Sequence, residues 1–232
     1  MTLFHSPWFS LEPYGVTPLT DFLAPSAERY KDKPAFIMAE GASYTFGEIW
    51  EACRRLGRFL QDSGIQKGDR IAIFSANCPE YFVAFYATLF AGGTVTTLNP
   101  LYKDREVMHQ LENCGATAIF AMGALAPVVQ AAREHLPNLK QVFNIEDVWK
   151  LAKEAPNDPK PVSIDPKEDL VALPYSSGTT GLPKGVMLTH YNVVSNVRQT
   201  LSTGMTSSYS VLLDFLPFYH IYGMVVLMAC GY

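Results

Sequence analysis

No cluster of lysines and arginines occurs anywhere in this 232-residue chain, whose formal net charge is −4. A nucleic-acid grip needs such a cluster to meet the phosphate backbone, so that class is excluded. Cysteine is scarce: Cys53, Cys78, Cys114 and Cys230 lie far apart, with no C-x-x-C spacing and no histidine pair beside them. They read as reduced thiols of a cytoplasmic protein, not as a zinc site or a disulfide frame. The opening stretch MTLFHSPWFSLEPYG lacks a basic segment followed by an apolar core, which reads against a signal peptide. Internal repeats and low-complexity segments are also missing. Charge itself is short, at 17% against 48% apolar residues. That is below the usual share in a soluble domain and points to extensive burial, or to a surface that faces something else.

One long uncharged run, Tyr81 to Tyr102, is the only stretch that imitates a membrane span. Gly92-Gly93 and Asn99-Pro100 interrupt it, and Thr94, Thr96 and Thr97 would sit badly in lipid. It reads as a buried helix followed by a buried strand.

What is present alternates. Thr45 followed by Glu48 is a capping-box start, after which Ile49, Cys53, Leu56, Phe59 and Leu60 fall on one helical face and Gly64 ends the helix. RIAIFS then reads as a strand covered on both faces. Pro79 suits the first position of the next helix. TVTTL, ATAIFA and KQVFNI read as strands, with DREVMHQLENCG and LAPVVQAAREHL as helices between them. The expected fold is α/β, a mostly parallel sheet with helices on both faces. Residues 153–169 carry four prolines and eight charges and read as an exposed connector. Beyond them LVALPY, a buried strand, delivers the chain into PYSSGTTGLPKG, residues 174–185.

That loop holds five hydroxyls, three glycines and one lysine. Glycines let backbone N–H groups crowd around an anion, Ser and Thr add donors, and Lys supplies the opposing charge. It is not a Walker A loop, because Pro183 precedes Lys184 and Gly185 follows it. The chemistry favours phosphate binding over a plain Ser/Thr/Gly surface turn.

From Tyr175 to Val186 the loop resembles the signature of the adenylate-forming (AMP-binding) superfamily. That group includes fatty-acyl-CoA synthetases, aryl-CoA ligases such as 4-coumarate–CoA ligase, luciferases and peptide-synthetase adenylation domains. MLTH continues the match, LPFYHIYG (216–223) resembles a second family motif, and YTFGEI, GDRIAI, NCPEYFVAF and NPLY agree more weakly. The resemblance implies a two-step reaction. A carboxylate attacks the α-phosphate of ATP, giving an acyl-adenylate and pyrophosphate, and the acyl group then passes to the thiol of CoA. It implies that Ser176, Ser177, Gly178, Thr179, Thr180, Gly181 and Lys184 contact the ATP phosphates, with Mg2+ bridging them. Lys184 and His220 take the catalytic roles, His220 borders the adenylate, and Tyr222 walls the acyl pocket. Set beside these roles, His220 also reads as a histidine satisfied in a buried turn, and Tyr222 as core filler between Phe218 and Met224. His190 reads as structural, and Cys78 and Cys114 carry no reactive role.

Relatives run to more than twice this length. The resemblance therefore implies that residues 1–232 are the N-terminal part of an adenylation domain, inactive alone. About 70–210 would form the main α/β subdomain, and about 1–65 with 214–232 would be parts of an incomplete second one. The magnesium-binding glutamate, the ribose-binding aspartate and the mobile C-terminal domain with its lysine would lie beyond it. The expected partners are a carboxylic acid (a fatty acid first), ATP and CoA, with neither nucleic acid nor a transmembrane segment involved. Self-association through the apolar C-terminus is a further expectation. An aryl-CoA ligase and a domain loading a carrier protein are alternatives within the family. A non-catalytic nucleotide-binding module is the alternative of another class.

Overall fold

The computed structural model describes residues 14–155, 158–176, 183–204 and 206–232. After helix α1 (Leu19–Arg29) comes a small hairpin of β1 (Pro34–Ile37) and β2 (Ser43–Thr45). Thr45 then caps α2 (Phe46–Asp62). Its Oγ1 accepts from Glu48 N at 3.2 Å, and Glu48 Oε2 accepts from Thr45 N at 2.8 Å, which is the reciprocal box expected from T-x-x-E.

The strand–helix alternation follows: β3 (Arg70–Phe74), α3 (Pro79–Phe90), β4 (Thr94–Leu98), α4 (Asp104–Cys114), β5 (Ala118–Ala121), α5 (Ala126–Arg133), β6 (Gln141–Asn144), α6 (Val148–Glu154) and β7 (Leu170–Ser176). Two short strands, β8 (Lys184–Gly185) and β9 (Leu188–Thr189), and the helix α7 (His190–Ser202) come next, and a wide-turned helix over Gly223–Ala229 ends the order. The strands lie in the order β6-β5-β3-β4-β7, every neighbouring pair parallel, and β8 and β9 add antiparallel to β7. This is the α/β class expected from the sequence.

Alternation within each strand explains the layers. Ile71 and Ile73 enter one core with α2, α3, α6 and α7, while Ala72 and Phe74 enter the other with α4 and α5. Strands apolar on both faces are stable only when covered twice. The uncharged run from Tyr81 is accordingly α3 and β4, both buried, and among the described residues no helix is long and apolar enough to cross a membrane. α2 crosses α3 at Gly57, where an added Cβ would meet Phe90 Cβ at 2.6 Å and Ala87 O at 3.1 Å.

The connector starts later than expected, since α6 runs to Glu154, and it is tied down. Gln61 Nε2 donates to Lys160 O at 2.9 Å, and Gln61 Oε1 accepts from Lys160 N at 2.7 Å. His190, at the start of α7, is buried. Its Nδ1 accepts from Leu19 N at 3.0 Å, and burial drives the imidazole down to about 4 despite nearby Asp169. It is a structural histidine. In the apolar tail, Met224, Val225, Met228 and Ala229 are buried and Tyr232 Oη donates to Phe46 O at 2.7 Å. Tyr209, Val211, Leu213 and Phe215 stay exposed.

The winding changes face at several neighbouring pairs of strands, one of them beside the second motif. β3 leads to α3 on one face, whereas the neighbouring β4 leads to α4 on the other. In open parallel sheets the crevice at the carboxyl ends of such a pair is the usual ligand position.

Candidate functional site

The two motifs approach the carboxyl edge of the sheet from different strands. β7 ends at Ser176 and β8 begins at Lys184, and the two residues face each other in antiparallel register, as do Tyr175 and Gly185. Both Ser176 and Lys184 are exposed. An added Cβ at Gly185 would meet the Tyr175 ring at 3.0 Å, so glycine is what lets the two strands close. The Tyr175 hydroxyl donates to Asn113 Oδ1 on α4, and burial pushes it up to about 12. On the far side of the hairpin, Pro183 O is 3.2 Å from His109 Nε2. A carbonyl can only accept, so that nitrogen carries the proton. Ser177, Gly178, Thr179, Thr180 and Gly181 lie outside the described residues.

The second motif sits above the β3–β4 reversal. Asn77, in the loop after β3, bonds the backbone of Asp214, Leu216 and Phe218. Thr97, near the end of β4, donates Oγ1 to Tyr219 O at 2.8 Å. Tyr81 packs edge-on against Phe218, with ring centroids 5.7 Å apart. His220 N donates to Pro217 O at 3.1 Å, closing a turn, and Gly223 comes so near the Pro217 carbonyl that a Cβ would collide with it.

His220 and Tyr222 are both exposed. A histidine satisfied within a buried turn does not describe His220, and core filler does not describe Tyr222, which is 46% exposed. The core aromatic here is Phe218, at 1%. Tyr222 N donates to His220 Nδ1 at 3.3 Å, which leaves the proton of the neutral ring on Nε2.

A cavity of about 310 Å³ opens between α4 and the hairpin, lined by Tyr102, Arg105, Glu106, His109, Gln110 and Pro183. Tyr102 is held above its ordinary range by burial first, then by neighbouring Tyr219 and Glu106, so this cavity adjoins the second motif. A larger cleft of about 770 Å³ between α1 and α2 touches neither motif. Of the two, only the smaller lies beside the hairpin and the second motif. Sequence reasoning did not single out Asn77, Thr97, His109 or Gln110. Only Asn77 carried a signal, inside NCPEYFVAF. Cys78 and Cys230 are each pushed up to about 11, chiefly by burial, and burial also raises Cys114, so these thiols are poor nucleophiles.

Comparison with known proteins agrees with this geometry. The family model described as AMP-binding enzyme matches residues 23–232. A long-chain-fatty-acid–CoA ligase of Bacillus subtilis (strain 168) is 32% identical, over 90% of this chain and 43% of its own length. 4-Coumarate–CoA ligase 1 of Petroselinum crispum is 33% identical, over 92% of this chain and 41% of its own. The crystal structure of a long-chain-fatty-acid–CoA ligase from Archaeoglobus fulgidus superposes with a TM-score of 0.88 and 28% identity, covering 98% of this chain and 48% of that one. ATP-bound MatB from Rhodopseudomonas palustris gives 0.76 and 25%, over 92% and 43%. The chain thus spans less than half the length of each of these relatives.

Proposed function

This chain belongs to the AMP-binding enzyme family, and from that premise we propose that it supplies the phosphate-binding half of an acid–thiol ligase site. In the reaction proposed, a carboxylate oxygen bonds to the α-phosphorus of ATP as the bond to pyrophosphate breaks. The CoA thiol, losing its proton, then bonds to the acyl carbon as AMP leaves. Fatty acids are the substrate class we propose first, on the two fatty-acid ligases named above; 4-coumarate is the competitor to run beside them.

One observation carries the reading. The loop-bearing hairpin and the segment bearing His220 approach the same carboxyl edge, at β7 and at the β3–β4 reversal, and β4 lies between β3 and β7. Lys184 would oppose the charge of the departing pyrophosphate, joined by Ser176 and the hydroxyls and glycines of Ser177, Gly178, Thr179, Thr180 and Gly181. Positioned cations and donors are most of what such a transfer needs. His220, with its ring proton on Nε2, suits an oxygen of the adenylate, and Tyr222 the acyl group beside it. Among the described residues no group of three or more His, Cys, Asp or Glu side chains converges as a metal cage. On the proposed reaction Mg2+ would bind with the nucleotide's phosphates. Four free thiols fit a cytoplasmic setting.

The test replaces the matching segment of the B. subtilis ligase with this chain and follows carboxylate-dependent exchange of pyrophosphate into ATP. Exchange that needs both the acid and Lys184 supports the proposal. A folded chimera that binds ATP and shows no exchange removes the ligase reading and leaves a nucleotide-binding module.

A further inference from the structure

Asn77 commits both side-chain donors and its acceptor oxygen to one stretch of backbone. Nδ2 donates to Asp214 O at 3.0 Å and to Leu216 O at 2.8 Å, and Oδ1 accepts from Phe218 N at 2.8 Å. These partners lie 137, 139 and 141 residues further along the chain, so none is a local turn contact. Reading alternate backbone groups is what a neighbouring strand would do for this segment, and here one side chain does it.

A second strand end adds to the grip. Thr97 Oγ1 holds Tyr219 O, and Gln110 Nε2 donates to Thr97 O at 3.0 Å from α4. Hydrogen bonds from the ends of β3 and β4 therefore fall on four of the six residues preceding His220. The His220 ring, by contrast, is exposed and among the described residues has one hydrogen bond, the weak one from Tyr222 N at 3.3 Å. Among these residues it is the backbone beneath the ring that places it.

We propose that Asn77, with Thr97, is a positioning residue that sets where His220 stands over the carboxyl ends of β3 and β4. Its importance for chemistry rests on the reading that His220 borders the adenylate. Asn77→Asp is the sharp variant. It is nearly isosteric and keeps the acceptor for Phe218 N, but it turns a second acceptor toward the carbonyls of Asp214 and Leu216. Asn77→Ala removes all three bonds.

The test uses the intact 232-residue chain. Hydrogen exchange across 214–220 should quicken about tenfold or more in both variants, while β3 and β4 stay protected. In NMR of histidine-labelled chain, the His220 signal should shift or broaden while those of His109 and His190 hold still. Unchanged exchange in 214–220 would overturn the proposal. So would a change shared by all the histidines alongside a lower melting temperature, since that is what general loosening produces. ATP binding by the chimera with the B. subtilis ligase decides the nucleotide reading separately. A folded chimera that takes up no ATP removes that reading, whereas hydrogen exchange and NMR on the 232-residue chain still decide the clamp.

Discussion

Ser176 and Lys184 are cross-strand partners, the last residue of β7 facing the first residue of β8. The backbone pairing fixes where the lysine starts and leaves its side chain exposed. Lys184→Ala removes no part of that pairing and should change stability by only about 0.5 kcal/mol. In the chimera it should slow adenylation by roughly one to three orders of magnitude, the size of losing one transition-state donor. Pyrophosphate exchange reads the rate, and an unchanged rate would take the lysine out of the mechanism.

Tyr222 is half exposed, so truncating it opens no core cavity. The expected result for Tyr222→Ala is a melting temperature close to wild type with an altered order of preferred acids. One methylene of fit is worth about 1–3 kcal/mol in selectivity. kcat/KM for short, medium, long and aromatic acids checks this. An unchanged order would dismiss the pocket role.

The helix crossing at Gly57 leaves no room for a methyl group, with Phe90 Cβ 2.6 Å from where a Cβ would stand. Helix propensity alone makes Gly→Ala favourable by about 0.5–1 kcal/mol. Overpacking against the Phe90 Cβ and the Ala87 carbonyl costs about 1–3 kcal/mol and should win. Gly57→Ala is expected to melt lower than wild type; a higher melting temperature would show that α2 and α3 separate easily.

Burial holds the His190 imidazole near 4, below the 6.5 of an exposed histidine. The unfolded chain therefore takes up this proton first. The associated stability is complete above pH 6.5 and drains away as pH falls toward 4, by at most about 3 kcal/mol. Asp169 stays out of that window: burial raises its carboxyl, but the hydrogen bonds from Lys67 and from Asp165 N, with the Lys67 charge, together outweigh this and bring it below its ordinary value. His190→Asn keeps an acceptor for Leu19 N without the titration. Urea unfolding at pH 7.5 and 4.5 should show a smaller loss on acidification in the variant than in wild type.

Much of the sheet was legible because burial imposes short apolar runs, and RIAIFS, TVTTL, ATAIFA, KQVFNI and LVALPY each became a parallel strand. The capped helix after Thr45 was legible for a local reason, the T-x-x-E exchange. What escaped was held by distant partners. α1 begins without a side-chain cap and carries Pro25 within it, and β1 and β2 are four and three residues long. In the site, the exposed residues sat within recognisable motifs. Asn77 and Thr97 did not stand out, because their role is a set of bonds to backbone more than a hundred residues away. Side chains that bond backbone leave no complementary residue type to find in the sequence.

The position of β7 also governs the order of assembly. Val95 pairs with Ala172, yet α4, β5, α5, β6 and α6 all intervene in the chain. Closing that contact is the least local step in building the sheet, and such steps are slow. β3 to β6 can associate while β7 is still unpaired, so the β7–β8 hairpin takes its place late in refolding. On the proposed phosphate-binding role, nucleotide added to refolding chains would find nothing to hold in the early phase. It can only trap the final docked state, slowing its loss without hastening its arrival.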